Sequence, residues 1–402
     1  MIDSLDWARA QDAADPLRVF REHFHFPCPL YFAGHSLGLQ PRRAREYVLQ
    51  ELDDWAKHGV EGHFAARTPW VNYHEALTAP TARLVGALPH EVVVMNTLSV
   101  NLHLLMVSFY RPTAGRHRIL IERGAFPSDQ YAVASQARFH GFPDAVVESD
   151  EPLEALDESI ALALIGTPNY LTGRAADIPA LVKRARECGA VLGLDLAHGA
   201  GNLLLRLHDD GPDFAAWCNY KYLNAGPGGL GGVFVHEKHH GEALPRFEGW
   251  WGHNKEKRFE MSSRFEPIRG AEAWQLSNPP ILQLAALRAS MELFDQAGMP
   301  ALRQKGDRLT AFLEHLLQPR AWWKPGWTPG TAEILTGRER GSMLTVRFKR
   351  NAAELVRALQ ERGALVDLRP PDIVRITPAP MYNSFEDVQR LCTLIRGLST
   401  NG

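Results

Sequence analysis

The chain has 402 residues, of which 45% are hydrophobic and 22% charged, and its formal net charge is −2. This balance is typical of globular proteins that fold in water, and it lacks the basic block that nucleic-acid binding requires. No apolar run approaches the roughly 20 residues that span a bilayer, and the four cysteines are too widely spaced for a disulfide framework or a structural zinc site. Because the N-terminus also lacks the basic-then-apolar order of a signal peptide, we expect a cytoplasmic protein of enzyme size without a membrane or nucleic-acid partner.

The first part of the chain is predicted to be mainly helical. Residues 1–30 have the pattern of a helical arm with a loop, and residues 31–40 that of a loop. Pro41 is suited to open a long helix, since its fixed φ matches the first helical turn. Residues 73–88 resume a helical spacing, which Pro89 is expected to end.

From Val92 onward, short apolar runs alternate with helical patterns. The predicted strands are 92–95, 118–121, 161–165, 191–194, 214–218 and 233–235. The helices predicted between them centre on 102–109, 131–139 and 178–188. This alternation indicates a mostly parallel sheet covered on both faces, in which ligands bind outside the carboxyl ends of the strands.

The remainder of the chain has a different rhythm and predicts a second, smaller α+β domain. Its predicted helices are 281–297, 302–317, 352–362 and 385–398. Its predicted strands are 343–348, 364–367 and 373–377, and 322–341 reads as a loop with a strand edge.

Polar residues follow several of the predicted parallel strands. Asp195 ends one strand, where partial burial favours a cationic partner, and a cap for the next helix is the common alternative. His198 stands three residues later and is suited to stack on or orient a flat ligand. Thr97 and Ser99 precede a helix, where they predict either an anion site or a simple N-cap. Together they indicate one candidate site.

Residues 219–232 place Lys221 between two tyrosines and follow it with a glycine-rich run. A buried lysine is a good amine nucleophile for Schiff-base chemistry, and glycines allow a backbone to approach a ligand closely. The alternative is a surface lysine beside a turn. The run from Gly226 to Gly231 also matches G-x-G-x-x-G, but a strand rather than a helix follows, which argues against a dinucleotide site.

A histidine-rich turn follows the next predicted strand. His236, His239 and His240 resemble a metal cluster, but no further ligand motif completes it. We interpret it as a solvated turn and predict no metal site.

A flat cationic ring, a phosphate and an aldehyde that reacts with lysine together describe pyridoxal 5'-phosphate. Asp195 would pair with the ring, the helix start at Ser99 with the phosphate, and Lys221 with the aldehyde. These separate signals therefore predict one cofactor site.

Several segments of the chain resemble those of a known family. The segments that carry the resemblance are Phe-Ala-Gly-His-Ser-Leu-Gly-Leu-Gln (32–40), Asn-Leu-His-Leu-Leu-Met (101–106), Ala-Phe-Pro-Ser-Asp (125–129), Asp-Leu-Ala-His (195–198), Asn-Tyr-Lys-Tyr-Leu-Asn (219–224), Gly-Trp-Trp-Gly-His (249–253) and Ser-Asn-Pro-Pro-Ile (277–281). They are similar to those of kynureninase, a pyridoxal-phosphate enzyme with the aspartate-aminotransferase-like α/β fold (fold type I). This resemblance implies a mostly parallel seven-stranded sheet in a large domain at 61–295. It also implies a smaller α+β domain at 296–402, joined by an N-terminal arm and helix at 1–60.

The resemblance also implies roles for individual residues. Lys221, Tyr220 and Asp195 are the expected catalytic residues. The expected cofactor-binding residues are Leu98, Ser99, Phe126, Pro127, Ser128, Asp129, Asp195, His198, Tyr220, Lys221, Trp250 and Asn278, and the expected substrate-binding residues are His63, Asn278 and Arg375. Phe126 would stack on the ring, and Arg375 would bind the substrate α-carboxylate as a bidentate pair. Trp250 and Asn278 would reach in from a partner subunit, which implies a homodimer with shared active sites.

The implied reaction is hydrolytic cleavage of L-kynurenine or its 3-hydroxy form to an anthranilate and L-alanine, in tryptophan catabolism or NAD biosynthesis. Lys221 would remove the α-proton, and Tyr220 would return a proton to the β-carbon. The preference between the two substrates stays open. So do the roles of Thr167 and Thr172, because Gly166 departs from the hydroxyl residue that relatives often have there.

The sequence leaves two alternative functions open. The first is a cysteine desulfurase or selenocysteine lyase of the same fold, which needs a reactive cysteine on a mobile loop. Cys28, Cys188 and Cys218 lie instead in apolar or helical settings. The second is a non-catalytic protein that keeps the cofactor fold, against which the intact Lys221 and Asp195 argue.

Overall fold

The structure, a computed structural model, describes residues 4–318, 332–349 and 351–398. In these ranges the α-helices are α1 Leu5–Ala14, α2 Arg42–His58, α3 Gly62–Ala65, α4 Thr78–Val85, α5 Leu98–Phe109, α6 Pro127–Phe139, α7 Pro152–Ala155, α8 Ile178–Cys188, α9 Leu207–Asp210, α10 Ile281–Ala297, α11 Met299–Leu317, α12 Ala352–Glu361 and α13 Phe385–Leu398. The strands are β1 Phe24–His25, β2 Leu30–Tyr31, β3 Gln40–Pro41, β4 Val92–Met95, β5 Arg118–Glu122, β6 Val146–Ser149, β7 Ile160–Gly166, β8 Val191–Asp195, β9 Phe214–Cys218, β10 Gly231–Val235, β11 Ala332–Ile334, β12 Leu344–Phe348, β13 Ala364–Leu365, β14 Asp367–Arg369 and β15 Ile373–Ile376. Short 3-10 helices cover Pro16–His23, Gly59–Glu61, Trp70–Leu77, Pro89–Glu91, Glu237–His239, Trp250–Gly252, Arg258–Glu260 and Ala271–Trp274.

The large domain is built on a seven-stranded sheet in the order β4-β10-β9-β8-β7-β5-β6. β10 runs antiparallel to β4 and β9, and the other pairings are parallel. Alternate residues of β7 enter different cores. Leu162 and Leu164 pack with α5 and α6, whereas Ala163 and Ile165 pack with α8 and α10. Both faces are therefore covered, which explains the continuous apolar runs and confirms the predicted mostly parallel sheet.

The edge strand β6, Val146–Ser149, was not among the individual strands expected from the sequence. Its side chains are only half-buried or exposed, so it has no long apolar run. It pairs with β5 alone, as edge strands do.

The C-terminal part forms an antiparallel sheet in the order β11-β12-β15-β14, packed against α11, α12 and α13. Residues 322–331 of the predicted loop lie outside the described residues, and β11 follows them. The ring of Trp7 in α1 lies 4.8 Å from that of Phe312 and 5.9 Å from that of Phe385, so the N-terminal arm joins this core.

Helix α2, the second element of the predicted arm, lies along α10, where the hydroxyl of Tyr47 donates to Glu292 at 2.6 Å. The segment 1–60 thus contacts both cores. The domain boundaries at 60 and 295 stay a prediction.

Two predicted elements are divided in the structure. The helix expected at 73–88 is a 3-10 helix, Trp70–Leu77, with Asn72 outside helical geometry, followed by α4, which ends at the left-handed Gly86. The strand expected at 364–367 splits because β13 pairs with β2 and β14 pairs with β15. In the described part of the chain, no helix is long and apolar enough to cross a membrane.

Candidate active site

A cavity of about 240 Å³ opens at the carboxyl ends of the parallel strands. Its walls contain ten of the residues proposed from the sequence, namely Thr97, Leu98, Ser99, Phe126, Ser128, Asp129, Asp195, His198, Tyr220 and Lys221. They come from the ends of β4, β8 and β9 and from the segment after β5. The parallel sheet therefore brings together residues more than 100 positions apart.

Lys221 lies on the connection between β9 and β10. Its Nζ is 3.3 Å from His198 Nε2 and 5.8 Å from the centre of the Phe126 ring. Complete burial, and then the charge of Lys221, hold the pKa of His198 well below its usual value. A neutral His198 can accept a hydrogen bond from the lysine. Its Nδ1 is buried and has no hydrogen-bond partner among the described residues.

Two buried carboxylates form another wall. Asp195 ends β8, where its Oδ1 accepts from Ala197 N at 2.7 Å, and Asp129 lies in the first turn of α6. Burial, and then the negative charge of Asp195, raise the pKa of Asp129 well above its usual value. Two neighbouring carboxyl groups that are shielded from water favour the binding of a cation between or beside them.

The N-terminus of α5 also lines the cavity. The Thr97 side chain makes no cap hydrogen bond, so the N–H groups of the first turn, at Leu98 and Ser99, are available to an anion. Pro127 opens α6 at the first helical position beside Phe126. The cavity offers an aromatic ring face, a helix N-terminus, two carboxylates and an imidazole nitrogen without a hydrogen-bond partner among the described residues. These features fit pyridoxal 5'-phosphate, whose ring acts as an electron sink.

Tyr220 borders Lys221, with the lysine Nζ 5.9 Å from the centre of its ring. Burial, and then the neighbouring Cys218, raise the pKa of the Tyr220 phenol above its usual value. The phenol therefore keeps its proton at neutral pH and is able to donate it.

Arg375 does not line the cavity. It is only 1% exposed and lies just behind the wall, where its Nη1 donates to the carbonyl of Tyr170 at 2.7 Å. Tyr170 itself lines the cavity and meets Phe126 edge-on, with the ring centres 5.1 Å apart.

His63, Trp250 and Asn278 also lie outside the cavity within a single chain. The ring of His63 packs against Trp70 at 5.6 Å, Trp250 is 43% exposed, and Asn278 is exposed. Their predicted roles at the site stay predictions.

Sequence reasoning missed Glu122 and Tyr170 as cavity residues. Glu122 ends β5 and accepts from Asn169 Nδ2 at 2.8 Å, so its position at a strand end was an available signal. The two threonines whose roles were open are not in the cavity wall. Thr167 accepts from Ala176 N at 2.9 Å, and Thr172 accepts from Arg174 N at 3.3 Å, so both stabilise the loop after β7.

The histidine-rich turn is held by its own hydrogen bonds. His236 Nδ1 accepts from Lys238 N at 3.1 Å, His239 Nε2 bonds Asp213 at 2.8 Å, and His240 Nε2 bonds the carbonyl of Val235 at 3.0 Å. His236 also belongs, with Glu91 and His208, to a group whose ligand atoms lie within 4.8 Å of one another. Those atoms already have partners within the protein: Glu91, for example, accepts from Leu88 N, Glu237 N and His208.

Comparison with known proteins agrees with this geometry. A profile of the kynureninase C-terminal domain matches residues 302–395. The chain is 56% identical to a kynureninase of Myxococcus xanthus, covering 98% of this chain and 97% of the relative. It is 50% identical to a kynureninase of Koribacter versatilis, with coverages of 96% and 95%.

Among solved structures, the fold matches the cysteine desulfurase CsdA from Escherichia coli with a TM-score of 0.77, at 19% identity and coverages of 96% and 98%. It matches the cystine C-S lyase C-DES with a TM-score of 0.75, at 18% identity and coverages of 91% and 97%. At these low identities the likeness establishes the fold, the pyridoxal-phosphate fold type I. The full-length identity to the curated relatives establishes more: the chain belongs to the kynureninase family.

Proposed function

We propose that this protein is a pyridoxal-phosphate-dependent hydrolase that cleaves the Cβ–Cγ bond of L-kynurenine or 3-hydroxy-L-kynurenine. The products are anthranilate or 3-hydroxyanthranilate and L-alanine. The observation that carries the proposal is the placement of Lys221, His198 and Asp195 in one cavity of a chain 56% identical to a kynureninase. The cofactor, when bound, supplies an electron sink for the amino-acid carbanion.

Individual residues of this chain have distinct roles in the other steps of the reaction. Lys221 holds the cofactor and, once released, removes the α-proton of the substrate, while the neutral His198 accepts a hydrogen bond from its ammonium form. Asp195 stabilises a positive charge on the ring, and the neighbouring Asp129, whose pKa is raised by burial and by the charge of Asp195, favours its protonated form. Water adds to the γ-carbonyl, so that the acyl group leaves as the anthranilate carboxylate. Tyr220 keeps its proton until it delivers it to the β-carbon as the Cβ–Cγ bond breaks.

The experiment compares the parent protein with Lys221→Ala and with the control Lys183→Ala, which removes a lysine exposed on α8. We expect the parent and the control to absorb as yellow proteins and to release fluorescent anthranilate from kynurenine. Lys221→Ala should lose the lysine-bound absorbance and anthranilate release. Anthranilate release at the parent rate by Lys221→Ala would refute the assignment. Turnover of kynurenine and 3-hydroxykynurenine, measured side by side, decides the preferred substrate.

The desulfurase alternative receives no support beyond the shared fold. None of the four cysteines, all within the described residues, lines the cavity. Burial raises the pKa of the thiols of Cys28, Cys218 and Cys392, the last to about 12, so they stay protonated and unreactive. Sulfide release from cysteine would overturn this conclusion.

We also propose that the protein is a homodimer with shared sites. Phe64, Trp250, Phe259 and Met261 are large apolar side chains more than 40% exposed, and the Phe259 ring lies 5.9 Å from that of Phe64 and 5.7 Å from that of Trp250. Such a cluster marks an interaction surface. The predicted cofactor contacts Trp250 and Asn278 lie outside the cavity of their own chain. The cytoplasmic location expected from the sequence stays a prediction.

Mixing two inactive variants tests the shared site. In a mixture of Lys221→Ala and Asn278→Ala subunits, half of the dimers are hybrids, and each hybrid has one intact site of two. If the site is shared, Lys221 of one subunit and Asn278 of the other form the intact site of each hybrid, as two-fold symmetry requires. The mixture then regains about a quarter of the parent activity after subunit exchange. No regained activity in a mixture with demonstrated hybrids would exclude the shared site.

A further inference from the structure

The side-chain network behind Arg375 has no role in the reaction described above. Asp367 in β14 lies directly opposite Arg375 in β15. Its Oδ2 accepts from Arg375 Nε at 2.6 Å and from Arg369 Nε at 3.1 Å, and it also pairs with Arg375 Nη2. The side edge of the Arg375 guanidinium is thus occupied by an anion that belongs to the protein.

The other N–H groups of Arg375 meet neutral acceptors. Nη1 donates to the Tyr170 carbonyl at 2.7 Å, and Nη2 donates to the Ser36 hydroxyl at 3.2 Å. Hydrogen bonds to an ionised partner are roughly twice as strong as those to neutral groups. An entering carboxylate can therefore replace the neutral acceptors without displacing Asp367.

His35 fixes the position of Asp367. It is fully buried, its Nδ1 bonds Thr377 Oγ1 at 2.8 Å, and its Nε2 lies 3.4 Å from Asp367 Oδ2. Burial lowers the pKa of His35 to about 4, so the ring is neutral at physiological pH. With the Thr377 hydroxyl donating to Nδ1, the proton lies on Nε2 and is donated to Asp367.

The charges of this network leave a positive excess. Burial acts to raise the pKa of Asp367, but the hydrogen bond from His35 and the charge of Arg375 outweigh it and hold the pKa well below its usual range. One carboxylate then faces two guanidinium groups, Arg369 and Arg375. The network also borders the cavity, since the rings of His35 and His198 are 6.4 Å apart.

We propose that Asp367, held by His35, is the positioning residue that fixes the orientation of Arg375 for the α-carboxylate of the substrate. The inference rests on the proposed function and on the role that the family resemblance implies for Arg375, namely binding of that carboxylate. Asp367 anchors the side edge of the guanidinium, and the remaining N–H groups keep a fixed direction towards the Tyr170 side of the cavity. Without the anchor, the fork loses its bidentate geometry.

The test measures preference for a carboxylate rather than total activity. L-Kynurenine and its α-carboxamide are compared by kcat/KM for anthranilate release, and L-alanine and L-alaninamide are compared by calorimetric Kd. The ratio of acid to amide cancels losses of folded protein, which a purely structural role would produce. We expect Asp367→Asn to lower this ratio about tenfold or more, the difference between a bidentate charged pair and a single bond.

Three further variants provide a control and test the role of His35. Asp372→Asn removes a more exposed ion pair beside the same sheet, that with Arg347 at 3.4 Å, and should leave the ratio unchanged. His35→Leu removes the donor to Asp367 and should lower the ratio several-fold, whereas His35→Gln, which retains an amide donor, should keep more of it. His35→Leu also provides a second test if Asp367→Asn does not fold.

The outcomes separate the inference from the function on which it rests. If the neutral variant Arg375→Gln loses the acid preference while Asp367→Asn and His35→Leu keep it, the positioning role is overturned and the proposed function stands. If Arg375→Gln also keeps it, Arg375 does not bind the carboxylate and both assignments fail. If the parent releases no anthranilate, the proposed function fails, and the calorimetric ratio alone decides the role of Asp367.

Discussion

Gly38 offers a sharp test of how the loop at 32–40 supports the reactive lysine. Its N–H donates to the carbonyl of Tyr220 at 2.9 Å, directly beside Lys221. A Cβ at Gly38 would lie 2.3 Å from the Lys221 carbonyl oxygen and 2.8 Å from Asn224 Cα. These are backbone atoms, which cannot rotate away as the end of a flexible side chain can.

The magnitude follows from these distances. Real Cβ contacts essentially never fall below 3.0 Å, so Gly38→Ala must move the Lys221 carbonyl by at least about 0.7 Å. Overpacking of this kind costs about 1–3 kcal/mol of stability. A displacement near 1 Å at a reacting group can cost on the order of 100-fold in rate. We therefore expect Gly38→Ala to lower the melting temperature by a few degrees and kcat/KM by about 10- to 100-fold.

The assay combines thermal unfolding with anthranilate release and with the amount of bound cofactor per chain. Gly115→Ala is the matched control, because a Cβ there meets nothing within 4 Å. Gly38→Ala with the stability, cofactor content and turnover of the control would refute the close approach between the loop and the lysine.

Two other expectations concern buried charges. Asp15→Asn breaks the 2.7 Å pair with Lys305, whose side chains are 4% and 6% exposed, and should cost about 3–5 kcal/mol in urea unfolding; an unchanged midpoint would contradict it. Burial alone would raise the pKa of Glu272, but hydrogen bonds from His74 and Lys255 outweigh it and lower the pKa to about 2. This depressed pKa stabilises the fold above about pH 4.5, and the stabilisation is lost as the pH falls towards 2. Glu272→Gln should therefore be less stable than the parent at pH 6 by a margin that narrows on acidification, and a constant margin would count against this reasoning.

Much of the large domain could be predicted from the sequence because its sheet is buried on both faces. Six of its seven strands contain a short apolar run, and the cavity lies at the carboxyl ends of the parallel strands, where ligands bind in such sheets. The edge strand β6 was not predicted, because a partly exposed strand does not need the apolar side chains that mark the other strands. Short-range patterns also could not place the break between β13 and β14, since it depends on a partner, β2, more than 300 residues earlier in the chain.

The residues of the cavity and of the network behind it also differ in how far the sequence predicts them. Asp195 and Lys221 carry signals of their own, a carboxylate at a strand end and a lysine before glycines. His35 and Asp367 carry none, because their chemistry arises only from a contact between positions 332 residues apart. A buried histidine in a loop sequence looks the same whether it faces an ion pair or a hydrophobic core.

The network around Arg375 also bears on where substrate selection occurs. The cavity wall contains Lys221, His198 and Asp195, and these groups can act on any amino acid that reaches the cofactor. Arg375 lies behind that wall, with its direction fixed by Asp367 on the small domain. If Arg375 binds the substrate carboxylate as proposed, the amino-acid end of the substrate is recognised by the small domain, which does not hold Lys221. Carboxylate recognition and proton transfer can then be altered separately, as the ratio for Asp367→Asn and the rate for Lys221→Ala would demonstrate.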